Sequence, residues 1–171
     1  MHGEKGLAGC DLGCGAGALM ALLAAREPTL VLSGVEIDPH AAAWARKNLG
    51  MPVTTGDLTR RENLPPAGSC DLVVSNPPYF AAGSGGDGGG ARMERGCTPE
   101  ALCESAAYLL RNGGRFALCY PPGRLCDLFC ALRSAGLEPK RMKLPAHPGK
   151  APSTALVEAL RQGRPGLQIE L

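Results

Sequence analysis

Three glycines at alternate positions, Gly13, Gly15 and Gly17, separate one apolar run (Leu7 to Leu12) from a second (Ala18 to Arg26). A strand that passes into a helix through so short a turn belongs in a parallel sheet, because the helix carries the chain back to start a second strand beside the first. The rest of the chain repeats the alternation. Leu30 to Ile37 reads as a second strand, and Asp38 with Pro39 as the cap and first turn of a helix that Asn48-Leu49-Gly50 ends. Pro52 to Gly56 reads as a short third strand and Cys70 to Ser75 as a fourth. Thr98-Pro99 opens a helix that runs to Asn112-Gly113-Gly114, Arg115 to Tyr120 is a fifth strand, and Leu125 to Ser134 is a helix. Lys140 to Leu144 and Thr154 to Ala159, with only a loop between them, predict an antiparallel hairpin at the edge of the sheet. Ala18 to Arg26 is apolar all round, which predicts a buried helix.

Length and charge narrow the class further. The 171 residues suit one domain, and a net charge of +2 excludes a polybasic or acidic-tail protein. No apolar run approaches the ~20 residues of a membrane-spanning helix. Leu7-Ala8-Gly9-Cys10 matches a lipoprotein cleavage pattern, but Glu4 and Lys5 stand where an apolar leader would be. The eight cysteines form no C-x-x-C, and most lie inside apolar runs, so they read as small core residues rather than metal ligands. The expectation is a cytoplasmic, reduced protein without a metal. Gly83 to Gly90 (GSGGDGGG) reads as a flexible loop.

The turn after the first strand, Asp11-Leu12-Gly13-Cys14-Gly15-Ala16-Gly17, is where a backbone approaches a ligand closely. Gly13, Gly15 and Ala18 also satisfy the dinucleotide pattern G-x-G-x-x-A. Asp11 separates the two readings. A carboxylate there repels a pyrophosphate and suits the cationic amino-acid end of S-adenosylmethionine. Glu36, 23 residues beyond Gly13, is placed to accept from both hydroxyls of a ribose, which either cofactor carries. Its loss is expected to weaken cofactor binding and leave the fold intact. Asp57, after the third strand, suits either an adenine amino group or the cap of a turn.

Asn76-Pro77-Pro78-Tyr79 carries the chemistry. A strand that ends in two prolines cannot go on pairing, so the backbone leaves the sheet rigidly. The Asn76 side-chain oxygen and the Pro77 carbonyl are then two acceptors for one planar NH2 group. Holding both hydrogens turns the nitrogen lone pair toward an incoming methyl. Tyr79 offers a ring on which a flipped base can stack.

Asp11-Leu12-Gly13-x-Gly15-x-Gly17, Val35-Glu36-Ile37-Asp38 and Asn76-Pro77-Pro78-Tyr79 resemble the motifs of class I S-adenosylmethionine-dependent amino methyltransferases. With Ala91-Arg92, Thr98 to Leu102 and Arg111 to Phe116, the chain is similar to the bacterial valine-tRNA adenine-N6 methyltransferases over nearly its whole length. The resemblance implies a Rossmann-like class I sheet, mostly parallel with a C-terminal antiparallel hairpin. It implies a single domain over 1–171 without that family's N-terminal segment, and S-adenosylmethionine as cofactor. Asp11, Gly13 and Gly15 would hold the methionine end, Glu36 the ribose and Asp57 the adenine. Asn76 and Pro77 would grip the target amine, with Tyr79 stacked on its base. The implied reaction is methylation of N6 of an adenine in RNA, adenine 37 of a valine tRNA.

Guanine-N2 methylation of rRNA and glutamine-N5 methylation of protein use the same tetrapeptide and stay open. A nicotinamide oxidoreductase and a non-catalytic cofactor-binding module are the readings of a different class. From Arg111 to Lys150 the chain carries eight basic residues against Asp127 and Glu138, which suits an RNA partner. Arg92, after the glycine loop, is the phosphate contact the sequence singles out. An open cofactor edge would expose apolar surface, so a homodimer is a further expectation.

Overall fold

The computed structural model describes residues 6–77, 97–145, 149 and 151–170. Its strands are β1 (Ala8–Leu12), β2 (Val31–Glu36), β3 (Val53–Thr55), β4 (Cys70–Ser75), β5 (Leu110–Tyr120), β6 (Leu137–Lys143), β7 (Ala155–Arg161) and β8 (Gln168–Glu170). The helices are α1 (Ala18–Arg26), α2 (Pro39–Leu49), α3 (Pro99–Leu109) and α4 (Leu125–Ser134). The strands form one sheet in the order β3-β2-β1-β4-β5-β7-β6-β8. β1 to β5 are parallel, and β7 runs antiparallel between β5 and β6.

Caps explain where the helices begin and end. The Asp38 carboxylate accepts from the His40 amide at 2.8 Å with Pro39 in the first turn, and Gly50 closes α2 at φ +63°. Such a cap is worth ~1 kcal/mol. The Thr98 hydroxyl accepts from the Ala101 amide at 3.2 Å and starts α3. The Asp71 carboxylate accepts the Ala8 amide at 2.8 Å and pairs with Arg111. Both contacts hold its pKa below the ordinary value, the backbone hydrogen bond contributing most.

Alternation along the strands divides the core in two. Cys10, Leu12, Val73, Phe116, Leu118 and Val157 face α3 and α4. Leu32 and Val53 face α1 and α2, where they meet Met20, Ala42 and Ala45. Full burial of one such leucine contributes about 1.5–3 kcal/mol.

The expected α/β sheet with its antiparallel C-terminal pair is present, and four details differ. β8 was not legible: three residues pair in parallel with β6, and the Arg141–Glu170 ion pair at 2.9 Å joins them. β6 begins at Leu137, three residues ahead of the reading. β5 begins at Leu110, directly after α3, because a register shift between Cys70 and Leu72 lets the chain bulge through Gly113 at φ +77°. Finally, α1 is not a buried helix. Met20 alone in it is fully buried and Leu22 is 70% exposed, since one side of the helix lies on the sheet and no described element covers the other.

Candidate functional site

Parallel register brings the C-terminal ends of β1, β2, β3 and β4 to one edge. Leu12 pairs with Val35, Val35 with Thr54 and Glu36 with Thr55, so the loops after these strands stand side by side. Backbone hydrogen bonds lock them together. Gly13 donates to the Val35 carbonyl and Gly56 to the Glu36 carbonyl, each at 2.8 Å.

Gly13 (φ +75°) and Gly15 (φ +54°) occupy the left-handed region, and a Cβ at either would meet nothing within 4 Å. Glycine is required there by conformation, not by crowding, which leaves an open ledge of backbone. Gly17, at φ +89°, is also crowded, because a Cβ on it would stand 2.5 Å from Leu49 Cδ1 and 3.3 Å from Ala45 Cβ of α2.

Glu36 underpins the ledge. It is 6% exposed, its Oε2 accepts the Gly15 amide at 2.7 Å and its Oε1 accepts the Asp38 amide at 2.8 Å. Each carboxylate oxygen has two lone pairs, so capacity for a ligand hydroxyl remains. Glu36 therefore also holds two backbone amides, which its removal would strand, so the fold is not indifferent to its loss.

Asp11 lies behind the ledge, 1% exposed, and its Oδ2 has no hydrogen-bond partner among the described residues. Burial, reinforced by repulsion from Glu36, pushes its pKa up to about 7. An orphaned carboxylate of this kind is held at a cost that an incoming cation would relieve. The neighbouring Cys14 thiol is buried, raised to about 12, and packs beneath Gly34, where a Cβ would stand 2.7 Å from its sulfur. Cys10 is likewise raised to about 12 by burial. Both behave as core side chains rather than nucleophiles.

Asp57 closes the far side. Its Oδ1 accepts from both the amide and the hydroxyl of Thr59 at 2.8 Å, and its carbonyl accepts from Asn63 Nδ2 at 3.0 Å. The turn-capping role is thus occupied by one oxygen, Oδ1. The loop is fastened to α3 by Ser105, a 3%-exposed residue whose hydroxyl lies 2.9 Å from the Leu58 carbonyl.

Asn76, exposed, and Pro77, half-buried, follow β4 onto the same edge. Pro78, Tyr79, the glycine loop and Arg92 lie outside the described residues. Ser75, which the sequence reading passed over, is 1% exposed and donates its hydroxyl to the Leu12 carbonyl at 2.7 Å. A hydroxyl as the last residue of an otherwise apolar strand was the available signal. Ile37 was also missed as a site feature: it is 56% exposed directly after Glu36 and presents an apolar surface at the rim.

The edge thus offers an orphaned buried carboxylate, a backbone ledge and a second carboxylate with spare acceptor capacity. It fits a ligand that brings a positive charge together with hydroxyls.

The family model of the methyltransferase small domain matches residues 2–121. Over 130 residues the chain is 36% identical to the tRNA1(Val) (adenine(37)-N6)-methyltransferase of Porphyromonas gingivalis, covering 69% of this chain and 51% of that protein. It is 29% identical over 153 residues to the protein of the same name from a Flavobacteriaceae bacterium, covering 78% and 66%. The chain therefore spans between half and two thirds of the length of these relatives. Among solved structures, a predicted O-methyltransferase from Agrobacterium tumefaciens superposes with a TM-score of 0.74 at 25% identity, over 99% of this chain and 80% of that one. A SAM-dependent methyltransferase from Methanosarcina mazei shares the fold at a TM-score of 0.70 and 10% identity, over 92% and 93%.

Proposed function

The chain belongs to the methyltransferase small domain family, and on that premise we propose that residues 1–171 form one domain of a cytoplasmic S-adenosylmethionine-dependent N-methyltransferase acting on N6 of an adenine in RNA, with adenine 37 of a valine tRNA as the acceptor. The observation that carries this reading is the common edge of Asp11, the Gly13–Gly15 ledge, Glu36 and Asn76-Pro77, joined by the Ser75–Leu12 hydrogen bond. The named relatives supply the acceptor.

Bound S-adenosylmethionine supplies an electrophilic methyl group on a positively charged sulfur. The Asp11 carboxylate would compensate the positive charge of its methionine end, and the glycine ledge would let the backbone lie against it. Glu36 would accept from the ribose hydroxyls while it holds the ledge. The Asp57 Oδ2, the oxygen not used by Thr59, would accept from the adenine amino group. Ile37 would offer the cofactor an apolar surface. Asn76 Oδ1 and the Pro77 carbonyl would accept the two hydrogens of the target amine and so orient its nitrogen for methylation. Tyr79 stacks on the target base and Arg92 takes a phosphate.

Incubation with methyl-labelled S-adenosylmethionine and separate pools of unmodified tRNA, rRNA and release factor tests the assignment. N6-methyladenosine in tRNA is the expected product. N2-methylguanosine in rRNA or methylglutamine in protein would overturn the acceptor, and no label with intact cofactor binding would overturn the activity. Size determination of the same protein tests a homodimer.

A further inference from the structure

Three of the eight basic residues between Arg111 and Lys150 converge on a face of the sheet that no described helix covers. Phe116, Leu118, Val157 and Met142 point into the core under α3 and α4, so their strand neighbours Arg115, Leu156, Arg141 and Lys143 point the other way and are exposed. On this open face Arg115, Lys140 and Arg141 line a cavity of about 250 Å³ together with Glu158, Gly166 and Gln168.

The cations there are positioned but not saturated. Arg115 pairs with Glu158 at 2.6 Å and Arg141 with Glu170 at 2.9 Å, while Lys140 donates to the Arg164 carbonyl at 3.0 Å. Each guanidinium has five N–H donors and meets its carboxylate through one nitrogen, and both side chains remain more than half exposed. Glu170 also meets Lys143, at 3.9 Å. Counting Glu158 and Glu170 against Arg115, Lys140, Arg141 and Lys143, the face keeps an excess of positive charge. Gly166 sits at φ +133°, and a Cβ there would stand 3.5 Å from Lys140 Nζ, so the wall beside the lysine is bare backbone.

We propose that this cavity is a docking site for a phosphodiester of the RNA strand, a second anchor beside the methylation site. The inference rests on the reading of RNA as the substrate. The cavity fits a singly charged group with two free oxygens, which the spare guanidinium donors and the ammonium receive together. Its place fits as well. Ser75 pairs with Leu118 on β5, Ala117 pairs with Glu158 on β7, and Glu158 pairs with Arg141 on β6. Three strand spacings of about 4.8 Å put the anchor roughly 15 Å sideways from Asn76, within the span of one bound strand.

The test is binding of an unmodified valine tRNA transcript to the whole protein over a series of salt concentrations. The double variant Lys140→Gln, Arg141→Gln is compared with wild type and with Arg26→Gln, an exposed cation at the end of α1. Loss of two phosphate contacts should raise the Kd at least tenfold and make the slope of log K against log salt shallower by about 1–2. Arg26→Gln should change neither, and S-adenosylmethionine affinity should stay at the wild-type value in both variants. An unchanged Kd and slope in the double variant, with tRNA bound and methylated by wild type, would overturn the anchor alone. An equal effect of Arg26→Gln would also overturn it, as diffuse attraction to the whole surface. A wild type that binds no tRNA would overturn both the anchor and the RNA reading.

Discussion

The Ser75 hydroxyl donates to the Leu12 carbonyl at 2.7 Å in a position closed to water. It joins the last residue of β4 to the last residue of β1, so the turn that carries Asn76 and the turn that carries the glycine ledge are held at one spacing.

Ser75→Ala should therefore do more than lower stability. The stranded Leu12 carbonyl costs about 1–3 kcal/mol. A misplacement of the two turns should also reduce kcat by more than it raises either KM, and Ser75→Thr should restore part of the rate. Thermal unfolding and steady-state kinetics on the three proteins check this.

Asn76→Ala removes one acceptor for the amine and should lower kcat by ~10²–10³. S-adenosylmethionine affinity, measured by calorimetry, should change little. Wild-type turnover in this variant would take Asn76 out of the mechanism.

Asp11 makes stability depend on pH with a definite sign. Its folded-state pKa, about 7, lies above the ordinary value of 3.8, so the folded chain holds the proton more tightly than the unfolded one. That contribution is fully present below pH 3.8 and is lost as pH rises to about 7. Asp11→Asn should flatten the loss, stabilising the ligand-free protein near pH 7 by a few kcal/mol, on the order of 1.4 kcal/mol per pKa unit. The same variant should weaken S-adenosylmethionine binding. Denaturant unfolding at pH 4.5 and pH 7.5 checks the first effect and calorimetry the second.

Glu36→Gln keeps one oxygen and adds a donor that faces a backbone N–H. Cofactor affinity should fall, and the melting temperature should fall with it, because the Gly15 and Asp38 amides both depend on this carboxylate. An affinity loss without a melting shift would show that the ledge is held by other contacts.

What was legible in the chain was whatever depends on local chemistry. The caps at Asp38 and Thr98, the turn at Gly13 to Gly17 and the proline exit after Ser75 each follow from neighbours in sequence, and each is where it was expected. Long-range consequences were not legible. Glu36 was read as a ligand acceptor from its place at the end of a strand, but its bond to Gly15 spans 21 residues. Ser75 reaches Leu12 across 63 residues. α1 was read as buried from its apolar periphery, which says what a helix can tolerate and not what stands against it. β8 has three residues and no alternation, so only its pairing with β6 reveals it.

The strand that completes the middle of the sheet is made after both of its neighbours. β7 lies between β5 and β6 although it follows both in the chain. During synthesis, β5 must wait with a bare edge and β6 without a neighbour until Ala155–Arg161 has left the ribosome. Through that interval two unpaired edges are open to other nascent chains. A stalled or clipped chain ending in the loop after Lys143 would keep every residue of the glycine ledge and of Asn76-Pro77 and still fail to close its sheet. The edge that reads as the chemistry of the molecule thus belongs to a sheet that only a later strand can close.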